Sequence, residues 1–376
     1  MCIQCCLKSL TGIDVKSLKN KKLIKKAIQS LNDLTPEELT KITHVCGTHE
    51  MTVSRFGIRS IIPKTIEVIP GPGCPVCVCP SYEIDLAIKL AKEGKIITTF
   101  GDMLKVPASK ESLAEMKQEG EDIRVVYSPQ DALKIARNNP QKEIVFLAIG
   151  FETSAPMTAA VLLDNPPENF SLISAHRLTV PAMELLLKEE TRKTKGFICP
   201  GHVSTIIGLN PYYPFSEKYG MPCVISGFEA IDVLIGLVQI IKMIKQKKPS
   251  VINEYARAVK PEGNLKALKI IEEVYTVVDA NWRGIGTISK SGLSLKKEFN
   301  AFDAEKKFDV HIDNSVDIHP GCRCHEVMLG NILPPECKLF LKNCTPEQPI
   351  GPCMVSHEGT CSIFARYGSK NFLRFE

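Results

Sequence analysis

Short β-branched runs, each followed by a stretch with helical spacing, recur through most of this chain. Runs at Ile42–Val45, Thr65–Ile69, Ile96–Thr99, Ile123–Tyr127, Ile144–Ile149, Leu172–Ser174, Gly196–Ile198 and Cys223–Ile225 have the length of buried strands. Helical periods follow at Tyr82–Lys92, Pro129–Asn138, Thr179–Glu189 and Glu229–Lys245. Such alternation predicts parallel sheets with helices on both faces. The break Asn138-Asn139-Pro140-Gln141 suggests two α/β lobes, 41–140 and 141–250. Upstream, 1–40 reads as a helical segment with Leu18, Leu23, Ile24, Ala27, Ile28 and Leu31 as its apolar stripe. Thr35-Pro36-Glu37-Glu38 has the cap, first-turn proline and acids of a second helix start. After residue 250 the alternation fades, and prolines and cysteines crowd in after residue 319. The stretch 251–376 is therefore expected to be a third unit, held by something other than a large apolar core.

The fold class that follows is α/β: two parallel-sheet lobes facing a cleft, plus a C-terminal cysteine-rich unit. A length of 376 residues agrees with more than one core. In open parallel sheets, ligands bind beyond the carboxyl ends of the strands. The loops of unusual composition fall there: 44–50 (HVCGTHE), 71–77 (GPGCPVC), Gly101-Asp102, 150–153 (GFET), 175–177 (AHR), 200–202 (PGH) and 226–228 (SGF).

Composition narrows the function class. The apolar fraction is 44% and the charged fraction 24%, values of a soluble globular protein. A net charge of +5 is too small to argue for nucleic acid, and one Trp with eight Tyr gives no stacking platform. The basic runs Lys19–Lys26 and Lys242–Lys248 are interleaved with apolar residues and read as solvated helix faces. Ile231–Ile244 is interrupted by Asp232, Gln239 and Lys242 and is too short to span a bilayer. The start, MCIQCCLKSL, has no basic lead before an apolar core, so a secretory signal is not expected and the cytoplasm is.

The cysteine count changes the picture most. Fifteen is odd and cannot be fully paired within one chain. In a reducing compartment, closely spaced cysteines read as metal ligands or redox thiols. Cys322, Cys337, Cys344 and Cys361 are separated by 14, 6 and 16 residues, with Cys324 and Cys353 among them. Four converging thiolates can hold Zn²⁺ or a [4Fe–4S] cluster. The long gaps suit the cluster better, and zinc or plain buried thiols remain the alternatives. Cys74-Pro75-Val76-Cys77 can form a disulfide or offer two thiolates to one metal, in a loop expected to be exposed. Cys79 adds a third thiol. Cys46 is placed near a helix N-terminus, which lowers a thiol pKa, and His49 follows within reach of the same ion. Alternatively His49 only hydrogen-bonds the helix start. Asp102, Glu152, His176 and His202 stand in the matching loops as candidate ligand-orienting groups or acids and bases.

Together these segments resemble the hydrogenase maturation protein family HypD. The resemblance is carried by HVCGTHE (44–50), IPGPGCPVC (69–77), FGDM (100–103), GFETSAP (150–156), SAHR (174–177), CPGHVS (199–204), CVISGFE (223–229) and the block from HPGCRC (319–324) to GPCMVSHEGTC (351–361). It implies a scaffold on which the Fe(CN)₂CO group of [NiFe]-hydrogenases is assembled. The partners implied are the chaperone HypC and the cyanide donor HypE, itself supplied by HypF. By resemblance, Cys46 leads the iron-holding motif with His49 beside it, and Cys74 and Cys77 are a redox or iron-binding pair. Cys322, Cys337, Cys344 and Cys361 match [4Fe–4S] ligands, and Cys324 with Cys353 an electron-exchanging pair. Cys79 and His325 depart from the family pattern, the final segment SIFARYGSKNFLRFE diverges, and Cys2, Cys5 and Cys6 match no family motif. The reading from another class is an iron–sulfur thiol–disulfide oxidoreductase that reduces a partner protein.

Overall fold

The computed structural model describes residues 20–188 and 194–368. Cys2, Cys5, Cys6, Leu18 and the last eight residues of the chain lie outside that description. The first helix among the described residues, Lys21–Asp33, turns Ala27 and Leu31 into the protein and has Leu23, Ile24 and Ile28 at its margins. The second helix expected at Thr35 does not form. Thr35 Oγ1 instead donates back to the Asn32 carbonyl at 2.7 Å, finishing the preceding helix, and strand β1 begins at Thr40. A threonine hydroxyl serves either end of a helix, and here the preceding end takes it.

The strands form two parallel sheets. One has the order β2-β1-β7-β8-β9, with β1 Thr40–His44, β2 Ile66–Pro70, β7 Thr194–Pro200, β8 Cys223–Ser226 and β9 Val251–Asn253. The other has the order β4-β3-β5-β6, with β3 Ile96–Thr99, β4 Ile123–Val125, β5 Ile144–Gly150 and β6 Phe170–His176. All pairs in both sheets are parallel. The α/β class and the parallel sheets agree with the reading from sequence. The division at 138–142 does not: that turn joins β4, through the helix Pro129–Asn138, to β5 of the same sheet. The chain leaves the first sheet after β2, builds the second, and returns at β7. The lobes are interleaved in sequence rather than consecutive.

This order fixes where a ligand can sit. In the first sheet β1 has β2 on one side and β7 on the other; in the second, β3 has β4 on one side and β5 on the other. These are the points where the winding reverses and the crossovers diverge, leaving a crevice at the carboxyl ends. Cys46 follows β1, and Asp102 follows β3.

Beyond residue 274 the chain makes an antiparallel hairpin that the sequence pattern did not disclose, β10 Tyr275–Trp282 with β11 Gly286–Leu295. From residue 304 to 368 there are only short helices and turns. Cys324, Cys344, Cys353 and Cys361 pack in the same apolar cluster as Val145, Leu147 and Ile149 of β5. The tail thus shares a core with the second sheet. Among the described residues no helix is long and apolar enough to cross a membrane.

Candidate functional site

β1 and β2 run in register, with His44 opposite Pro70, so their exits lie side by side. One exit delivers Cys46 to the N-cap of the helix Gly47–Arg55, the other Cys74 to the start of the short helix Pro75–Val78. The two turns touch because of glycine. A Cβ at Gly73 would meet the Cys46 backbone nitrogen at 2.4 Å, and the Gly47 N–H donates to the Gly73 carbonyl at 3.2 Å. On its other side Gly47 admits Glu358, whose carbonyl oxygen would lie 2.4 Å from an added Cβ. His44, Cys46, Cys74, Cys77, Cys353 and Glu358 consequently line one small cavity. Cys74 and Cys77 are joined in a disulfide. The loop that carries them, expected to be exposed, is buried: Cys74 is 5% and Cys77 0% accessible.

Burial also reverses the expectation for Cys46. Desolvation, aided by the charge of Glu358, pushes its thiol up to about 12, against the backbone N–H groups of His49 and Thr48 that favour the thiolate. At neutral pH the sulfur keeps its proton. Glu358 accepts from Thr48 Oγ1 at 3.2 Å, and burial with the neighbouring charge of Asp102 holds its carboxyl above the usual range. Asp102 therefore reaches the cavity by its field. Glu358 was not singled out by sequence: 310 positions separate it from Thr48, and no local pattern can mark such a contact.

His49 is turned away from the cavity. Its Nε2 donates to the Gly227 carbonyl at 2.9 Å and lies 3.2 Å from that of Ser226, while its ring packs on Phe228. Burial first, then the neighbouring His44, lowers its pKa to about 3, so the ring is neutral. The histidine that lines this cavity is His44. Its Nε2 donates to Glu50 Oε2 at 2.8 Å, and its buried Nδ1 has no protein partner.

Glu50 anchors this arrangement. Burial alone would raise its carboxyl, but the Arg59 charge, Arg59 hydrogen bonds at 2.8 and 2.7 Å and the His44 hydrogen bond outweigh it and hold the group below the ordinary carboxylate range. A folded-state pKa below the unfolded one contributes stability that is full above pH ~4.3 and is lost as pH falls below it. Arg59→Leu strands a buried anion and is expected to lower urea stability by about 3–5 kcal/mol at pH 7. The gap between variant and wild type should narrow as pH falls below ~4, where the carboxyl of the unfolded chain takes up a proton that the folded wild type does not. A gap that stays constant down to pH ~3 would contradict this account of Glu50.

The remaining candidates have local tasks. Glu152 accepts from Thr179 N–H at 2.9 Å and from its hydroxyl at 3.1 and 3.2 Å, with burial raising its carboxyl to about 7. His176 is buried between Ser154, Thr158 and Tyr275, and burial lowers its pKa to about 3. His202 is exposed and stacks on Phe228 at 4.0 Å, on a ring it shares with His49. The Cys79 thiol points to the Pro80 carbonyl rather than to the disulfide.

The second cavity is lined by all the C-terminal candidates: Cys322, Cys324, Cys337, Cys344, Cys353 and Cys361. Within it the Cys361 N–H donates to Cys353 Sγ at 3.2 Å, and the Ile350 N–H to Cys344 Sγ at 3.3 Å. The thiol and N–H of Cys324 bring the Cys322 thiol down to about 7 against burial, with help from the Arg283 charge. Among the described residues no three His, Cys, Asp or Glu side chains converge closely enough for a single metal ion. A cubane cluster spreads its four sulfur ligands wider than one ion does, and a ring of thiols around an enclosed space fits that larger group. Cys353 lines both cavities and links them.

Comparison with known proteins gives a consistent family match. Residues 21–368 match the family model HypD, described as the hydrogenase formation hypA family. A protein of Methanocaldococcus jannaschii named for hydrogenase expression and formation is 48% identical, covering 93% of this chain and 99% of its own length. The hydrogenase maturation factor HypD of Cupriavidus necator is 41% identical over 89% of this chain and 91% of its own. The HypD of Escherichia coli is 38% identical over 89% and 90%.

Proposed function

The chain belongs to the HypD family of hydrogenase maturation factors, and on that premise we propose that it is a cytoplasmic scaffold on which the Fe(CN)₂CO group of [NiFe]-hydrogenases is assembled. It acts in complex with HypC and accepts cyanide from HypE. The observation that carries the reading is the meeting of Cys46 with the Cys74–Cys77 disulfide in one small cavity at the switch point of the first sheet.

Iron bearing cyanide and carbonyl is the cargo, and a thiolate suits it. Cys46 Sγ is the ligand, with a further thiolate contributed by HypC. The proton leaving Cys46 passes to the Glu358 carboxylate, held beside it by Thr48. Cyanide delivered as a thiocyanate-like group needs two electrons to leave its sulfur. Reduced Cys74 and Cys77 supply them and close to the disulfide, releasing two protons, one of which restores the donor thiol. Cys324 and Cys353 then reopen that disulfide by thiol exchange and become oxidised in turn.

The short helices and turns of 304–368 would carry the cluster. Four of the six cavity thiols, Cys322, Cys337, Cys344 and Cys361, would hold a [4Fe–4S] cluster, which would leave Cys324 and Cys353 as the pair beside it. When bound, that cluster supplies single electrons. Cys353, which lines both cavities, would connect that site to the cleft.

Infrared spectroscopy of the complex with HypC, purified without oxygen, tests the proposal. CN and CO stretching bands are expected on this chain, and a complex without them in cells that make active hydrogenase would remove the scaffold role. The disulfide beside free thiols also favours the oxidoreductase reading. Iron analysis separates the two: an oxidoreductase needs about four irons per chain, and a loaded scaffold about five.

A further inference from the structure

Arg283 lies in the turn between β10 and β11 and, like Trp282, is fully buried. Its backbone N–H donates to the Val78 carbonyl at 3.0 Å, just after the turn that bears the disulfide. Its Nε donates to the Asp317 carbonyl at 2.8 Å and its Nη2 to the Pro107 carbonyl. The next residue, Gly284, packs on Ile318 and His325. The guanidinium is thus wedged between the disulfide segment and the segment that carries Cys322 and Cys324.

Among the described residues no carboxylate is hydrogen-bonded to its guanidinium. Both side-chain hydrogen bonds go to neutral carbonyls, and the buried Nη1 has no partner. The Asp317 carboxylate lies close by but accepts from the Ser81 N–H at 2.8 Å, from Asn281 Nδ2 at 3.4 Å and from the Gly284 N–H at 3.4 Å rather than from the guanidinium. A buried guanidinium nitrogen left without an acceptor is costly, so Nη1 marks a place where a further electron-rich group can be accommodated. The polarisable groups within its field are sulfurs: Cys79, Cys322 and Cys324. Arginine suits this task because it keeps its charge when buried.

We propose that Arg283 is a positioning residue for the redox centre, a fixed counter-charge at the sulfurs of Cys322 and Cys324 that raises the reduction potential of the group held there. The inference rests on the cluster reading above. An electron added beside a buried cation is stabilised by its field, and buried charge and hydrogen bonding are what tune such centres.

The test uses the full chain reconstituted anaerobically with iron and sulfide, its midpoint read by a spectroscopic redox titration. Arg283→Gln is expected to take up the same iron with the same absorption. Its reduced-to-oxidised ratio at a fixed potential should fall about tenfold, equivalent to about 59 mV for a one-electron couple. Arg283→Lys, which keeps the charge but not the planar fork, should stay near wild type. An unmoved midpoint in Arg283→Gln, or an equal fall in Arg283→Lys, overturns the role of the charge while the cluster stands. A wild-type chain that takes up no cluster overturns the cluster reading and this inference with it. Arg283→Met removes the charge without burying an amide and carries the same comparison if the Gln chain does not fold.

Discussion

Replacing Cys46 by alanine should abolish the CN and CO bands of the complex with HypC while leaving the brown cluster absorption intact. Alanine fits the site: the side chain is small, 8% accessible and without a cap hydrogen bond of its own, so the fold is expected to survive. The loss should exceed the ~10–100-fold typical of removing an outer partner of a metal site, because a ligand itself is removed. The disulfide Cys74–Cys77 and the six-thiol cavity lie on other segments and should be untouched. Bands of undiminished intensity in a folded Cys46→Ala chain would strike this sulfur from the ligands and move the iron site elsewhere in the cleft.

Cys337→Ala should bleach the cluster. The residue comes from a turn after the 3₁₀ segment Pro334–Glu336, and its sulfur faces the cavity with those of Cys322, Cys344 and Cys361. Loss of one of four thiolates is expected to cost most of the roughly four irons per chain, read as iron content and visible absorption. Cys324→Ser and Cys353→Ser are the contrast. Each should keep the iron, and Cys353→Ser should leave the Cys74–Cys77 disulfide unreduced when electrons are fed to the cluster. Full absorption in Cys337→Ala, or bleaching in both serine variants, would show that the four ligands have been assigned wrongly.

Much of this architecture was legible in the chain because the β-branched runs are short, separated and buried on both faces. The strands from Ile42 to Ile225 lie where the pattern places them, within a residue or two. Strand order was not legible. Lys41 pairs with Thr194, and nothing in a local window distinguishes that neighbour from one in the next unit. The hairpin at 275–295 escaped notice because its outer positions are exposed and interrupt the apolar runs. At the site, the sequence mistook the setting of the cysteines it singled out. A helix N-terminus was expected to favour the Cys46 thiolate, and desolvation, which a sequence does not display, overrides it. The setting of His49 differs from the expectation for a related reason. The three-residue spacing to Cys46 suggested a shared ion, but the carbonyls of Ser226 and Gly227 capture the ring of His49 from another strand exit.

The return of the chain to its first sheet also sets an order of events during synthesis. β1 and β2 leave the ribosome early with one flank bare, and their missing neighbour β7 begins only at Thr194. Meanwhile β3 to β6 are contiguous and can close into a sheet on their own. Long-range parallel pairing is slow and leaves open strand edges exposed to wrong partners. The strand exits that bear Cys46 and Cys74 are therefore the last part of the cleft to be locked. A nascent chain stalled before residue 194 would present both thiol-bearing turns on an unfinished edge, unable to shield any metal they met.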